Sequence, residues 1–267
     1  MENSKEGLVF IVRHGERADC VENEEEKKKI EIAVDPHLTE LGKLQAKCAA
    51  LELQTMINDY KNDKNRKTKY FIVSSPFLRC MQTATGIAQA LGKENILNDK
   101  IYIDLFLSEF LNKIYFQSSP MDQLHFFAKL ESLKEILGIE IQQGLLEEGK
   151  HTDVEVIYPE SIEKLFDRAT SGYKKALELY EELVKKEEDG DVALILVTHG
   201  YGVQCLLDYH EAFDFTKGVE YTSVSQFFYD FETKKTRVGN IQWHEQLEKA
   251  QKEFDEICKK NNVKGNL

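Results

Sequence analysis

The sequence has little proline, no C-x-x-C pair, and no hydrophobic run long enough to cross a membrane. Only four prolines occur in 267 residues, and no Gly/Ser-rich or low-complexity stretch separates one half of the chain from the other. A linker between two domains is therefore missing. The length suits one large domain with an elaborated cap, so we expect a single domain over residues 1–267.

The cysteines and histidines show no metal-binding spacing. The five cysteines are odd in number and widely separated, at Cys20, Cys48, Cys80, Cys205 and Cys258. This pattern is typical of reduced thiols in an intracellular protein rather than of a disulfide framework or a zinc site. The seven histidines contain no H-E-x-x-H motif and no close His/Cys pair. We therefore expect no metal and no other cofactor.

The amino terminus lacks a signal peptide, because its short apolar stretch is stopped by Arg13. No run approaches the roughly 18 to 20 apolar residues of a membrane span. Basic residues are also in deficit, with 35 against 47 acidic residues and a net charge of −12. That field repels nucleic acids and anionic membranes, so an anionic substrate would need a local basic pocket. We expect a cytoplasmic protein, and the sequence carries no signal for its oligomeric state.

Buried strands alternate with amphipathic helices along most of the chain. Apolar, β-branched runs predict strands at 8–12, 70–74, 101–107 and 192–197. Apolar residues at helical spacing predict helices at 39–60, 78–91, 160–186 and 201–207. An edge strand at 225–231 and a closing helix at 243–260 follow. The order predicts an α/β fold, a three-layer sandwich whose mostly parallel central sheet is flanked by helices.

Two segments are less regular. Residues 112–158 have a helical pattern only at 124–137, between loop-like stretches. A long insertion between a sheet edge and the next core helix is typical of an active-site cap, so we predict an inserted cap here. Residues 21–29 predict a solvated helical turn or a mobile loop, with Glu24 facing Lys28 and Glu25 facing Lys29 at i, i+4 spacing.

Charged residues cluster where the predicted strands end. The first strand runs into Arg13-His14-Gly15-Glu16-Arg17, and the strand at 192–197 ends similarly in Thr198-His199-Gly200. Arg79 follows the second strand. A lone histidine after a strand is more often a structural or surface residue. The carboxyl ends of strands in an open α/β sheet converge on one crevice, however, so these residues can meet there. Guanidinium groups match phosphate oxygens, and an imidazole can attack phosphorus.

One carboxylic acid is needed to protonate a leaving alkoxide. Glu109 is the carboxylate that most closely follows a predicted strand end, and Asp19 and Glu16 are alternatives. We expect desolvation by the apolar residues around Glu109 to keep it protonated. The nearby arginines should keep His14 neutral by repelling a proton.

These motifs resemble those of the histidine phosphatase superfamily, which has the phosphoglycerate-mutase-like fold. The resemblance spans about residues 8–207. It rests on Arg13-His14-Gly15-Glu16, Leu38-Thr39 with Gly42 and Gln45-Ala46, Ser74-Ser75-Pro76 with Leu78-Arg79 and Gln82-Thr83-Ala84, Glu109, and Thr198-His199-Gly200. It implies that His14 is the phosphorylated nucleophile and Glu109 the proton donor. The implied phosphate pocket is completed by Arg13, Arg79 and His199.

Within branch 1, the stretches 13–19 and 75–80 are most similar to the suppressor-of-T-cell-receptor-signalling and ecdysteroid-phosphate phosphatases. In that type the second arginine of the motif, here Arg17, also contacts phosphate. The chain departs from it where Phe110 follows the acid, since those relatives often have tryptophan there. The His-Asp pairing of the acid phosphatase and phytase branch is absent, because Gly200 follows His199.

The resemblance implies a metal-independent phosphomonoesterase that acts on a phosphorylated small molecule or a phosphoprotein. A phosphoglycerate-mutase-like phosphoryl transferase is an alternative. It would need a second set of cations in the cap, and residues 112–158 contain four lysines and no arginine. A non-catalytic binding module of the same fold is another alternative, although neither the nucleophile nor an arginine is lost. The substrate itself cannot be read from the irregular cap.

Overall fold

The computed structural model describes residues 6–60, 66–128, 140–143, 156–187, 190–214, 218–242 and 245–260. Within them, one sheet has seven strands, which are β1 (Glu6–Arg13), β2 (Lys67–Ser74), β3 (Ile96–Ile103), β4 (Glu140–Gln143), β5 (Gly190–Thr198), β6 (Val224–Asp230) and β7 (Thr236–Gln242). Their order across the sheet is β4-β3-β2-β5-β1-β6-β7. The first five are mutually parallel, and β6 and β7 are antiparallel additions. The predicted mostly parallel α/β fold is confirmed.

Helices cover both faces of this sheet. The described ones are α1 (Glu24–Lys28), α2 (Glu40–Tyr60), α3 (Leu78–Leu91), α4 (His125–Ala128), α5 (Ile162–Lys186), α6 (Gly200–Tyr209) and α7 (Glu245–Lys260). Helices α2 and α3 share one hydrophobic core with the sheet, while α5 and α6 share a second core on the opposite face. In the described part of the chain, no helix combines the length and the apolarity that a membrane span requires.

The central strands are buried on both sides, which explains their continuous apolar runs. In β1, Phe10 and Val12 pack into the core beneath α2 and α3, and Val9 and Ile11 pack into the core beneath α5 and α6. All four side chains are fully buried. Burying each one stabilises the fold by about 1.5–3 kcal/mol. The same packing fixes the strand firmly and places its last residues at one edge of the sheet.

The third predicted strand is wrong at its carboxyl end. Strand β3 ends at Ile103, and residues 105–107 form a 3-10 turn instead. The side chain of Asp104 accepts a hydrogen bond of 3.0 Å from the backbone N–H of Phe106. An aspartate that satisfies the backbone locally competes with strand pairing, so the apolar run does not continue the sheet.

The prediction of an edge strand at 225–231 is also wrong in position. Strand β6 lies between β1 and β7, because β7 pairs with it as the second arm of a hairpin. No sequence pattern predicted β7 or β4, and β4 overlaps a stretch predicted to be a loop. In the predicted helix at 124–137, α4 covers 125–128 and residues 129–139 lie outside the described residues.

The two helix starts near the amino terminus follow their sequence signals. The Thr39 hydroxyl accepts a 2.9 Å hydrogen bond from the Gly42 N–H, as expected of an N-cap. The helical turn predicted at 21–29 is confirmed as α1, but its ion pairs have i, i+3 spacing. Side chains three and four positions apart both lie on one helix face, and in this five-residue helix the nearer pairing forms.

Helix α5 approaches the turn at 105–107 most closely at Gly172. A Cβ atom added there would lie 2.1 Å from Cγ of Phe106. We expect Gly172→Ala to lower the free energy of unfolding by about 1–3 kcal/mol through overpacking, more than the ~1 kcal/mol gained from the helix propensity of alanine. Urea unfolding measures this. Ser171→Ala, on the exposed side of the same turn, should change it by less than about 0.5 kcal/mol. Equal stability of the two variants would contradict the close packing.

Candidate active site

The pairing of β1 with β5 brings the two histidine motifs together. The strands are parallel, and Arg13 lies opposite Thr198 in their register. The His14 N–H donates a 2.9 Å hydrogen bond to the Thr198 carbonyl. The rings of His14 and His199 consequently lie edge to face, with centroids 5.3 Å apart. His14 and His199 therefore lie together at the carboxyl edge of the sheet, as the sequence predicts.

His14 is held as a neutral imidazole whose Nε2 carries no hydrogen. Its Nδ1 lies 2.7 Å from the Gly15 carbonyl, which can only accept, so Nδ1 carries the hydrogen and Nε2 keeps its lone pair. The side chain is 1% exposed. Burial, together with the charges of Arg79 and Arg13, holds the pKa of His14 well below its usual value of 6.5. The imidazole is therefore uncharged at neutral pH.

The loop after His14 is shaped by close backbone contact with α2. A Cβ atom on Gly15 would lie 2.5 Å from the Gly42 carbonyl oxygen, and one on Gly42 would lie 2.4 Å from the Glu16 carbonyl oxygen. The Gly15 N–H donates to the Thr83 hydroxyl at 3.0 Å, and the Glu16 N–H donates to the Gln45 side chain at 2.8 Å. Residues of α2 and α3 that belong to the recognised motifs therefore support the loop from behind.

Arg79, Glu109 and His199 form a compact triangle. Nη2 of Arg79 lies 3.1 Å from Oε2 of Glu109 and 3.0 Å from Nδ1 of His199, and the last two atoms are 3.2 Å apart. Nε2 of His199 contacts the Ser75 hydroxyl at 2.8 Å. Burial lowers the pKa of His199 to about 4 although Glu109 opposes this shift. A neutral ring carries one hydrogen, so it can pair with Ser75 at Nε2 and with only one of Arg79 and Glu109 at Nδ1.

The predicted protonation of Glu109 is wrong for the ligand-free protein. Burial by itself would raise the pKa of this carboxyl, but His199 and Arg79 outweigh it and hold the pKa well below 4.5. Glu109 is 12% exposed on its side chain and meets charged groups at its carboxylate end. Phe106 and Leu107, two of the apolar residues next to Glu109 in sequence, pack into the core beneath α5 and α6.

The two alternative carboxylates have other partners. Oε1 of Glu16 accepts a 2.8 Å hydrogen bond from the Thr39 hydroxyl, which ties the motif loop to the start of α2. Asp19 accepts from Nε and Nη2 of Arg17 at 2.8 and 2.5 Å. Of the three candidates, Glu109 is the one in contact with Arg79 and His199.

Arg13 and Arg79 have buried N–H groups that make no hydrogen bond with the described residues. Nε of Arg13 and both Nε and Nη1 of Arg79 are buried and have no hydrogen-bond partner among the described residues. Arg13 is fixed by Nη1, which donates to the Val219 carbonyl, and by stacking 4.3 Å above the centre of the Tyr221 ring. Buried N–H groups without partners are costly, and a bound anion would satisfy them. The third arginine, Arg17, is already engaged by Asp19 and lies nearer the mouth.

A cavity of about 730 Å³ opens above these groups. Its charged lining comes from Arg13, Arg17, Asp19, Arg79 and Glu109, and its apolar lining comes from Ala33, Val34, Tyr115, Phe116, Tyr201 and Val219. Residues 115–118 and Gln123 belong to the predicted cap, so part of that segment borders the cavity. The position of these residues agrees with a cap beside the site, and the full extent of the cap stays a prediction.

Asp35 joins the cap to α3 and was missed in the sequence. Its fully buried carboxylate accepts from the Leu78 N–H at 2.7 Å and from the backbone and ring of His125 at 3.0 and 2.9 Å. It thereby caps the helix that begins with Leu78 and Arg79. A single acid in a loop has no periodicity, so no sequence pattern marks it.

One group of side chains has metal-compatible spacing. Ligand atoms of His14, Glu109 and His199 all lie within 4.8 Å of one another. Nη2 of Arg79 contacts two of these side chains, however. A cation at this point would face the permanent charge of a guanidinium, which disfavours it. The expected absence of a metal stays a prediction.

Comparison with known proteins gives matches in sequence and in structure. Residues 9–102 match the family model of the histidine phosphatase superfamily (branch 1). No curated protein matches the chain in sequence. The ecdysone phosphate phosphatase of Bombix mori, solved with tungstate, is 17% identical with a TM-score of 0.55, over 88% of this chain and 92% of that one. A phosphoglycerate mutase of Bacillus anthracis is 16% identical with a TM-score of 0.50, over 92% of this chain and 97% of that one.

At these identities the structural likeness shows the fold, which is the phosphoglycerate-mutase-like arrangement of sheet and helices. The family match covers most of β1, all of α1, α2, β2 and α3, and most of β3, and so includes Arg13, His14, Arg17 and Arg79. The two findings agree with the motifs read from the sequence. Residues 9–102 of this chain thus match the histidine phosphatase superfamily, branch 1, and the described residues have the phosphoglycerate-mutase-like fold.

Proposed function

We propose that this chain is a phosphomonoesterase that hydrolyses phosphate esters through a phosphohistidine on His14. One observation carries the proposal. A buried imidazole with a free Nε2 lies among two arginines whose buried N–H groups are unpartnered. Such donors suit the equatorial oxygens of a phosphoryl group, and the neutral imidazole suits in-line attack.

In the first step, Arg13 and Arg79 bind the phosphoryl oxygens, and neutral His199 adds a further contact. Nε2 of His14 attacks phosphorus while the bond to the ester oxygen breaks. The resulting phosphoimidazole keeps its Nδ1 hydrogen, which the Gly15 carbonyl accepts at 2.7 Å. That hydrogen bond stabilises the positive charge that the ring acquires.

Glu109 supplies the proton to the leaving oxygen. In the ligand-free protein it is ionised against Arg79. A bound phosphate dianion draws the guanidinium toward itself and adds negative charge nearby, and both effects raise the pKa of the Glu109 carboxyl. The acid therefore becomes protonated together with substrate binding. After the alcohol leaves, the carboxylate accepts a proton from the water that attacks the phosphohistidine.

The apolar half of the cavity favours esters whose alcohol part is apolar or aromatic. Tyr115, Phe116 and Tyr201 border the cavity beside the arginines. Aromatic side chains contribute a large contact area to such groups. The identity of the substrate, a cytoplasmic location and the absence of a nucleic-acid partner stay predictions.

Replacement of the nucleophile tests the covalent step. We expect wild-type protein mixed with a phosphate-labelled aryl ester and quenched without acid to carry label, and His14→Ala to carry none, because only the Nε2 of His14 is placed for attack. The control is His210→Ala. The His210 ring follows the end of α6, packs against the Tyr209 ring and does not line the cavity. This variant should be labelled like wild type. Wild-type turnover in His14→Ala would contradict the assignment.

Replacement of the acid should separate two kinds of ester. Glu109→Gln is expected to slow alkyl esters by about 100-fold and aryl esters by less than about 10-fold, since phenolates leave with little protonation. Asp19→Asn only releases Arg17 and should affect both esters equally. Initial rates on a matched alkyl and aryl pair measure the difference, and equal losses in Glu109→Gln would exclude this role.

The pH dependence has a defined sign. Because the pKa of Glu109 lies below 4.5 in the free protein, kcat/KM for alkyl esters should fall as pH rises from 5 to 8. His14 is neutral over that range and adds no opposing limb. The phosphate groups of both kinds of ester titrate near pH 6. The ratio of kcat/KM for the alkyl ester to kcat/KM for the aryl ester therefore cancels the titration of the substrate and reports the titration of the enzyme. We expect the alkyl-to-aryl ratio to fall with pH in wild type and to be flat in Glu109→Gln. A rising ratio would contradict the proposed proton donor.

Phosphate release distinguishes the hydrolase from the alternatives. Arginine is the only cationic residue type among the described residues that line the cavity, and two of the three arginines, Arg13 and Arg79, are the ones assigned to the phosphoryl group. A mutase needs further cations for a second anionic group. We expect release of inorganic phosphate from aryl esters and no isomerisation of phosphoglycerate. Isomerisation that exceeds release would favour the mutase, and inactivity on a broad panel of aryl and alkyl phosphates would favour the binding module.

A further inference from the structure

The segment that carries Glu109 is held by an arginine outside the cavity. Nη1 of Arg168 donates to the carbonyls of Leu105, Phe106 and Ser108 at 3.2, 2.9 and 3.1 Å. Its Nη2 donates to the carbonyl of Glu109 at 3.1 Å. Arg168 is 4% exposed and does not line the active-site cavity. It therefore acts on the backbone of the acid rather than on a substrate.

The remaining carbonyl of this segment is fixed by the other half of the site. The Thr198 hydroxyl donates to the Leu107 carbonyl at 2.8 Å, and Thr198 immediately precedes His199. All five carbonyls from 105 to 109 are thus engaged, four by Arg168 and one by Thr198. The backbone of the Glu109 segment has little freedom to rotate while these bonds persist.

Glu160 completes the support. Its carboxylate accepts from Nε and Nη2 of Arg168 at 2.7 and 2.8 Å, a two-point contact between side chains that are both almost fully buried. Oε2 of Glu160 also accepts from the Leu111 N–H at 3.3 Å, and the Glu160 N–H donates to the Leu111 carbonyl at 2.7 Å. The ion pair therefore fixes the chain on both sides of the acid.

The side chain of Glu109 is oriented by this backbone. Its Oε1 accepts a 3.0 Å hydrogen bond from the N–H of Phe110, so the direction of that peptide sets the direction of the carboxylate. Oε2 then faces Arg79 and His199. A rotation of the segment would move the proton donor away from the leaving oxygen, and a misplacement of about 1 Å can slow a reaction by two orders of magnitude.

We propose that Arg168, paired with Glu160, is a positioning residue that holds the backbone of the Glu109 segment so that the carboxyl meets the leaving oxygen. The proposal rests on the proposed function of Glu109 as the proton donor. The guanidinium group of Arg168 is planar, and its N–H groups can donate to several backbone carbonyls at the same time. Lysine keeps the charge but cannot make these contacts at once.

The experiment compares Arg168→Lys with wild type on an alkyl and an aryl ester. We expect kcat for the alkyl ester to fall by about 10- to 100-fold with a much smaller change for the aryl ester, and KM for both to change by less than about twofold. Arg66→Lys is the matched control. Arg66 contacts the Gly190 carbonyl and Asp191 at the opposite end of the strands, and its replacement should leave both rates near wild type.

Combination with Glu109→Gln distinguishes positioning from general damage. When the acid is absent there is nothing left to position, so adding Arg168→Lys should lower the alkyl rate by less than about twofold further. Equal loss on both esters, or a full additional loss in the Glu109→Gln background, would overturn the proposal. If Glu109→Gln alone fails to separate the two esters, the proposed role of Glu109 is overturned. If Glu109→Gln separates them and Arg168→Lys does not, only the positioning role is overturned.

A second variant covers the case in which Arg168→Lys does not fold. Arg168→Met combined with Glu160→Gln removes both buried charges together, and neutral replacement of a buried ion pair often preserves folding. The same selective loss on the alkyl ester is expected. Wild-type rates on both esters in this folded double variant would overturn the proposal.

Discussion

The parallel pairing of β1 with β5 is the constraint on which the rest of the site depends. These two strands form the centre of the sheet and are buried on both faces. Their register sets Arg13 opposite Thr198 and so fixes the separation of the two histidine rings. Strand β2, on the other side of β5, adds Ser75 against His199. The geometry of the reacting groups is therefore set by backbone hydrogen bonds of the sheet.

The permanent positive charges of the arginines help to set the ionisation of the other groups in this pocket. Burial and the two arginines keep the pKa of His14 low and the ring neutral, and His199 and Arg79 keep the pKa of Glu109 low and the carboxyl ionised. The net charge of −12 on the whole chain makes the pocket a local exception. In the mechanism we propose, a phosphate dianion that enters the pocket satisfies the buried N–H groups and also raises the pKa of the Glu109 carboxyl. In this mechanism, binding of the phosphate dianion and proton uptake by Glu109 have the same cause, which is the negative charge that the phosphate brings next to the arginines.

The sequence predicted those parts of the fold and site that follow from local patterns. Buried parallel strands are continuous apolar runs, so the abrupt change at Arg13 and at Thr198 located the edge of the sheet. The end of β3 was misjudged because Asp104 ends the strand by a local hydrogen bond, and β7 was missed because its pairing with β6 is weakly patterned. Asp35 gave no signal. Arg168 did give one, since it shares a helix face with Leu165, Ala169 and Gly172, yet a charged residue on a surface-like helix is ordinarily taken as solvated.

The position of β1 in the middle of the sheet has a consequence for biosynthesis. Its two neighbours, β5 and β6, are encoded far downstream, so β1 remains unpaired on both edges until residues 190–230 have been synthesised. Contacts of such long sequence separation form slowly, and an unpaired apolar strand is prone to aggregate. A nascent chain released before residue 199 lacks half of its histidine pair. The two histidines can therefore meet only late in translation, and a chaperone that shields the apolar residues of β1 would be needed throughout that interval.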